Sequence, residues 1–541
     1  MNSVIKGKEE PIDAQLFDVE KCFDALWMEE CINDLYEAGL DNEKLNLLYI
    51  ENQNAQVAVK TPKGVSKRID IRNIVMQGSV WGSLFCTTTM DKLGAQAYED
   101  ESLLYMYKGT VAVPPICMVD DILCIQKCTN TVKSNSVINA FIKLKKLTLS
   151  KKKCKSIHIG KQIRECADLK VHNQKMENSD SEKYLGDYIE KSGKLKATIA
   201  DRVAKGYGMV SEIQAIINEV PLGQYKLEIG LKLRQAMLIN GMLYNSEAWH
   251  AITNDDITAL QKVDEMLLRF LLNSQSKAPL EVLYLESGAL PVRHIISSRR
   301  MNYFQTVIKR DDEELTRRIL EAQINDPTDG DFAKLVQNDF QMAGINFDIN
   351  EIRNTGVDIF KNKVKAKMRD VALTYLKNLQ QTHSKIKDIK YEKLKIQDYL
   401  KSPLFSNSET SLLFSLRSRT AETFKANYRN MYGNVVACPF KCPQEDTQYH
   451  LLECQPLQSE IITNDISQGK VLYEHIFGDT IKQKEAVVLF TRLIDARAKV
   501  LKERESNPPG DQLDPSMGSS LCCVNALFTS TRCINCMYIG K

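Results

Sequence analysis

At 541 residues the chain is too long for one compact core, so about three domains are expected. Hydrophobic residues make up 43% and charged ones 26%, and a net charge of only +3, from 72 basic and 69 acidic residues, excludes a uniformly basic nucleic-acid binder: any basic surface must be local. No apolar run approaches the roughly 18 residues needed to cross a bilayer. Polar Met1–Pro11 lacks the apolar stretch of a secretory signal, so the 15 cysteines read as reduced thiols and the expected compartment is nucleus and/or cytoplasm, with no membrane partner.

The first 200 residues mix short β-like runs with helical stretches. Leu16–Val19 reads as a short strand carrying Asp18, and Lys21-Cys22-Phe23-Asp24 opens a helical stretch in which Asp24 suits the free amides of a first turn. Residues 55–71 read as a hairpin: Val57 and Val59 alternate on one arm, Pro62-Lys63-Gly64 turns the chain, and Val65, Ile69 and Ile71 follow. Met118-Val119-Asp120-Asp121 lies between the apolar runs Ile116–Val119 and Ile122–Ile125, which places two adjacent acids at the tip of a β-hairpin with buried arms. From Thr131 to Leu147 the pattern is helical, with Val137, Phe141 and Leu144 on one face.

Adjacent like charges repel, and a cation between them is the cheapest way to keep both ionised. Nucleotidyl transfer to a 3′-hydroxyl uses two divalent ions about 3.5–4 Å apart, held by carboxylates at rigid positions, and Mg²⁺ prefers such oxygen ligands. An Asp-Asp pair alone reads first as a plain turn with solvated acids. Asp18 changes that balance, because a carboxylate at a strand end can reach across a small sheet to the hairpin tip.

At this point a family resemblance becomes specific. Phe17-Asp18-x-x-Lys21-x-Phe23-Asp24 resembles motif A of non-LTR (LINE-like) retrotransposon reverse transcriptases, and Met76-Gln77-Gly78-Ser79-Val80 with Ser83-Leu84-Phe85 resembles motif B. Met118-Val119-Asp120-Asp121 is similar to motif C, Leu149-Ser150-Lys151-Lys152-Lys153-Cys154 to motif D, and Tyr184-Leu185-Gly186 to motif E, all in order over about 170 residues. The resemblance implies an RNA-directed DNA polymerase using an RNA template, a DNA primer or target and dNTPs. Asp18, Asp120 and Asp121 would hold two Mg²⁺ ions, and Lys153 would donate a proton to departing pyrophosphate. Phe23 would exclude a ribose 2′-hydroxyl, Gln77 and Gly78 would lie under the incoming nucleotide and template base, and Tyr184 to Gly186 would lie near the primer grip. Met118 stands where the family usually has Phe or Tyr, and Trp81-Gly82 where Leu-Ser is common. About sixteen residues precede motif A, so the frame is expected to be truncated, lacking the fingers and the endonuclease domain of many LINE proteins.

Seven lysines, Lys143, Lys145, Lys146, Lys151, Lys152, Lys153 and Lys155, fall within thirteen residues without one acid. Such a run can neutralise phosphates; the ordinary alternative is a solvated helix face followed by a charged loop. From about residue 200 to 400 the pattern is almost wholly helical. Thr253 or Asn254 can cap a helix striped with Leu260, Val263, Leu267 and Phe270, and breaks are expected near 274–279, 289–291 and 325–330. Residues 233–249 and 282–300 resemble the thumb region of the same family. There Trp249 reads as core packing ahead of base stacking, and Arg299 and Arg300 as backbone-tracking or plain surface residues.

Cys438-x3-Cys442-x7-His450-x3-Cys454 offers three thiolates and an imidazole, a ligand set for one tetrahedral Zn²⁺. Its surroundings resemble the C-terminal CCHC segment of the same retroelement proteins, with Arg417, Arg419 and Lys425 as candidate nucleic-acid contacts. Cys522, Cys523, Cys533 and Cys536 lie in a tail of low-structure composition and read as incidental.

The expected fold class is α+β: a polymerase palm with a small antiparallel sheet and flanking helices (1–200), a helical thumb (201–310) and connector (311–405), a zinc-knuckle-like module (406–465), a helix (466–506) and a disordered tail (507–541). The alternative function is a catalytically inactive remnant that binds RNA or DNA through the zinc module and basic patches.

Overall fold

The computed structural model describes residues 10–52, 56–70, 81–160, 169–220, 225–250, 252–274, 278–383, 386–387, 389–421, 438, 440–445, 448, 450–458 and 474–506. The motif B residues Gln77 and Gly78, Lys425 and the tail cysteines lie outside the described residues. The chain divides into two compact units, 1–403 and 404–541.

The first unit opens with β1 (Ile12–Asp18), α1 (Cys22–Ala25), α2 (Met28–Glu37) and α3 (Asn42–Asn52). The hairpin read from residues 55–71 is present in its described part and exposed: β2 (Gln56–Val57) pairs with β5 (Ile69–Asp70), and β3 (Lys60–Thr61) with β4 (Gly64–Val65). Next come α4 (Gly82–Glu99), the ribbon β6 (Tyr105–Tyr107) and β7 (Val111–Val113), the hairpin β8 (Ile116–Met118) and β9 (Asp121–Lys127), α5 (Thr131–Leu144) and β10 (Lys155–Ile159). The short strands β11 (Lys170–Val171), β12 (Gln174–Lys175) and β13 (Glu177–Asn178) lead to the hairpin β14 (Ser181–Tyr184) and β15 (Asp187–Glu190).

Five strands form the central sheet in the order β13-β10-β1-β9-β8, antiparallel apart from the two-residue β13, which runs parallel to β10. Strand alternation sorts its side chains. Ile12, Ala14 and Leu16 pack with Leu123, Ile157 and Ile159 in a small core on one face, while Phe17, Ile122 and Cys124 join the larger core formed with α2, α4 and α5 on the other. In α5, Phe141 and Ile138 are buried and Val137 packs against the core. Leu144, expected on that face, is 75% exposed because the helix turns its last residue to solvent there.

Beyond residue 195 the first unit is helical: α6 (Lys196–Glu219), α7 (Lys226–Leu233) continuing through a π-helical turn (Arg234–Ile239), α8 (Asn254–Leu271), α9 (Leu280–Ser287), α10 (Val292–Ile308), α11 (Leu315–Asn325), α12 (Phe332–Ala343), α13 (Ile349–Asn354) and α14 (Val357–Thr382). The three expected breaks separate α8 from α9, α9 from α10 and α11 from α12. Thr253 is the cap of α8, closing a capping box with Asp256, and Leu260, Val263 and Leu267 are buried while Phe270 is half-buried.

Trp249 is 2% exposed, which makes it core. Arg299 is half-buried and Arg300 buried, and both are engaged by partners within the fold. Arg299 donates to the Leu243 and Ile239 carbonyls at the end of the π-helical turn, and buried Arg300 forms an ion pair with Asp339 at 2.7 Å. In the second unit, α15 (Asn407–Arg417), capped by Ser406 and Glu409, α16 (Gln455–Gln458) and α17 (Thr480–Ser506) accompany the Cys/His segment. Among the described residues no helix is long and apolar enough to cross a membrane.

Candidate active site and metal centre

β1 ends on Asp18 and β9 begins on Asp121, and the two are register partners. Met118 pairs with Asp121 across β8 and β9, so Val119 and Asp120 form a two-residue turn. Val119 has φ 59°, a strained backbone for a β-branched residue, retained because its side chain packs into the palm core. The Val19 amide donates to the Asp120 carbonyl at 3.4 Å, and the Ser150 amide to the Asp18 carbonyl at 2.8 Å, which ties the motif A-, C- and D-like segments together.

Lys153 places its ammonium 3.1 Å from Asp18 Oδ1. The Asp18 carboxylate, with Asp120 and Asp121 behind it, holds that ammonium above the ordinary lysine value. Burial, then the charges of Asp120 and Asp18, push the Asp121 carboxyl up. Three carboxylates thus share one near cation. They are not a compact set with every ligand atom within 4.8 Å of the others, and two ions about 3.5–4 Å apart do not require one. Oxygen-only donors with excess negative charge fit Mg²⁺.

Beside them lies a cavity of about 330 Å³, walled by Asp18, Asp121, Lys152, Lys153, Lys183 and Tyr184 among others. The structure therefore brings Asp18, Asp121, Lys152, Lys153 and Tyr184 together, with Asp120 at the adjoining turn. Lys151 is exposed outside the cavity wall, and Phe23, on α1, is half-buried against the palm core and does not line it. The lysine run is less free than its sequence suggests, because acids arrive from other elements: Lys145 pairs with Asp34 at 2.7 Å, Lys146 with Glu30 at 3.5 Å, and Lys155 with Glu177.

Tyr184 and Asp187 flank the β14–β15 turn, where Leu185 (φ 48°) and Gly186 (φ 95°) both take positive φ, as a tight two-residue hairpin requires. The Tyr184 hydroxyl donates to the Ile116 carbonyl at 3.2 Å, joining this hairpin to β8. Sequence reasoning missed Asp187, the residue after that turn. Its carboxylate accepts from Arg202 at 2.7 Å, Asn245 at 2.7 Å and Trp249 Nε1 at 3.3 Å, which locks the hairpin to the helical region. Only its place directly after Tyr184-Leu185-Gly186 could have drawn attention to it.

In the second unit Cys438, Cys442, His450 and Cys454 bring one ligand atom each within 4.8 Å of the others. Cys454 Sγ is 3.8 Å from both Cys438 Sγ and Cys442 Sγ. A tetrahedron with Zn–S of about 2.3 Å has edges of about 3.8 Å, so the sulfurs stand at the spacing of a shared ion and far from that of a disulfide. Burial and the two neighbouring thiols push the Cys454 thiol up to about 12, a proton a bound cation would displace. Arg417 is buried, its guanidinium donating to the Ile476 carbonyl at 3.0 Å and lying over the Phe477 ring. It is thus engaged inside the unit and not presented to a phosphate, because the residues that claim it lie some sixty positions downstream. Arg419 is half-buried at φ 53° just beyond α15.

Residues 11–189 match the family model described as reverse transcriptase (RNA-dependent DNA polymerase). Among solved structures, the chain is similar to telomerase from Candida tropicalis in complex with a TWJ fragment of telomeric RNA (11% identity, 63% of this chain and 50% of that chain, TM-score 0.30) and to apo telomerase from Candida tropicalis (14%, 62% and 55%, TM-score 0.30). It is also similar to telomerase from Candida albicans with a TWJ fragment (12%, 60% and 52%, TM-score 0.27). The chain spans about half the length of these telomerase chains. No curated protein matches it.

Proposed function

We propose that the chain is an RNA-directed DNA polymerase of the non-LTR retroelement type, working by two-metal nucleotidyl transfer in the nucleus or cytoplasm. The observation that carries this reading is the pairing of Asp18 with Asp121 in the wall of a cavity also lined by lysines, with Asp120 in the adjoining turn. Two magnesium ions held by Asp18, Asp120 and Asp121 would supply the positive charge that activates a primer 3′-hydroxyl and clamps a triphosphate. Lys152 and Lys153 then face the phosphates, and Lys153, drawn off Asp18 once that carboxylate is otherwise engaged, protonates the leaving pyrophosphate. Phe23, Gln77 and Gly78 are assigned to nucleotide and template selection by their resemblance to motifs A and B. The turn at Tyr184–Gly186 supports the primer end, and the Cys3His module, loaded with one zinc ion, binds element RNA or target DNA.

A second reading, a non-catalytic RNA or DNA binder, is favoured by one observation: Lys153 forms an ion pair with Asp18 at 3.1 Å. Primer extension on an RNA template separates the two. Incorporation by the wild-type protein that disappears in Asp120→Ala supports the polymerase. Equal incorporation by both proteins, or none by either, leaves the binder. Zinc content that falls in Cys442→Ser supports the module; no change removes it.

A further inference from the structure

At the end of the central sheet opposite Asp18, three side chains of different chemistry meet, and the polymerase reaction uses none of them. Asp13 precedes Asp18 on β1 by about 17 Å of strand. Its register partner on β10 is His158, and on β9 Gln126. Cys128 follows Gln126 by two residues, so strand alternation sends it to the same face, and its amide is held by the Pro11 carbonyl at 3.1 Å.

Asp13 Oδ1 is 2.9 Å from His158 Nδ1, and Cys128 Sγ is 3.5 Å from the same nitrogen. All three ligand atoms lie within 4.8 Å of one another. One imidazole nitrogen carries at most one proton, which can bridge only one of these pairs. A cation engages all three. With Zn–N about 2.0–2.1 Å and Zn–S about 2.3 Å, tetrahedral geometry asks for an N–S spacing of about 3.6 Å, which the thiol already meets, and an N–O spacing of about 3.4 Å, which Asp13 reaches by retreating about half an ångström.

Two further observations point to a ligand. Both amide atoms of Gln126, the register partner of Asp13, are buried without a hydrogen-bond partner among the described residues, a condition that calls for an ion or water. The Thr131 hydroxyl donates to Asp13 Oδ2 at 2.7 Å, which turns Oδ1 toward the imidazole as an outer-shell partner does for a metal-binding carboxylate. Thr131 is also the first residue of α5, whose N-terminus favours an anionic thiolate and carboxylate nearby.

We propose that Asp13, Cys128 and His158 form a mononuclear site for a borderline divalent cation of the zinc class, with three protein ligands and a fourth position open to water, to which the Gln126 amide is available. The site is separate from the Cys3His module and does not depend on polymerase activity. Full-length protein loaded with zinc and freed of excess metal is expected to hold one ion more than Cys128→Ala and more than Asp13→Asn, whose Cys3His ligands are intact. Because a variant can lose metal by misfolding, a second measurement uses the wild-type protein alone. Maleimide alkylation of Cys128, read on its own peptide by mass spectrometry, is expected to slow about tenfold or more with zinc and to recover with a chelator, since the metal holds the reactive thiolate. Equal zinc content in wild-type and Cys128→Ala, or alkylation of Cys128 indifferent to zinc, overturns the site.

Discussion

The helical part of the first unit and the acid-bearing end of its sheet handle charge in opposite ways. Among the helices, two buried arginines each meet a buried aspartate. Arg234 donates to both Asp264 oxygens at 2.6 and 2.7 Å, and the Tyr284 hydroxyl donates to Asp264 at 2.7 Å. Burial, the largest single influence, lowers the Arg234 guanidinium, but the Asp264 charge and hydrogen bonds, with Tyr284, together hold it above the ordinary arginine value. Arg300 and Asp339 form a second such pair. At the sheet end Asp18, Asp120 and Asp121 gather around Lys153. Locally balanced charge is scaffolding. Charge left in excess at rigid positions is costly to the fold and is what the proposed cation site would use.

The largest expected effect tests the unbalanced region. Asp121→Asn should lower primer extension by roughly 10²–10³-fold, the scale of losing one preorganised charge-stabilising group. The same change should make the metal-free protein more stable at neutral pH. The Asp121 carboxyl is held above the ordinary aspartate value of 3.8, so the folded chain binds more protons than the unfolded one just above that pH. Its contribution favours folding below the ordinary value and is lost as pH rises through the raised one. Thermal melts in chelator from about pH 4 to pH 7 should therefore show the wild-type curve falling relative to Asp121→Asn. Parallel curves would mean that the acids are not in conflict, and the contrast with the helices would break.

Arg234→Met tests the balanced region. It leaves Asp264 buried and uncompensated and should cost ~3–5 kcal/mol in denaturant unfolding, whereas replacing Arg234 and Asp264 together by apolar residues should recover most of the loss. A loss below about 1 kcal/mol for the single change would show that the pair is hydrated and not the sealed scaffold described. Gly186→Ala probes the junction between the two regions. Gly186 has φ 95°, and an added Cβ would stand 3.2 Å from Tyr244 Cε1. A cost of ~1–2 kcal/mol is expected, with a weaker primer KM from the displaced turn. Unchanged KM would separate the turn from the primer.

What the sequence displayed and what it hid follow the same division. Period-two alternation made the exposed ribbon at 56–70 legible, short apolar runs punctuated by acids did so for the β8–β9 hairpin and for the last residues of β1, and a period near 3.6 did so for α8, because these patterns are local. Asp18 and Asp121 could be singled out because each sits at a strand end within an ordered set of motifs. Partners supplied from far along the chain left no local trace. Asp34 reaches Lys145 across 111 residues, Ile476 claims Arg417 across 59, and Asp187 gathers Arg202, Asn245 and Trp249. Asp13, Cys128 and His158 depend on the register of three strands, which no window of sequence contains.

The smallest effect sharpens the comparison by asking whether scaffold and site are energetically separable. Thr253 caps α8: its hydroxyl accepts from the Asp256 amide at 3.2 Å, and the Asp256 carboxylate accepts from the Thr253 amide at 2.9 Å. Both groups are exposed, so water replaces part of what Thr253→Ala removes, and a loss of about 1 kcal/mol is expected from the orphaned first-turn amides. α8 packs on α6, and α6 carries Arg202, which holds Asp187 beside the β14–β15 turn. If helix and sheet are coupled only through these rigid contacts, a frayed first turn at residue 253 stays local and primer extension at low temperature is unchanged. A drop in extension larger than the stability loss explains would show that the helical region sets the geometry of the acids as well as supporting it.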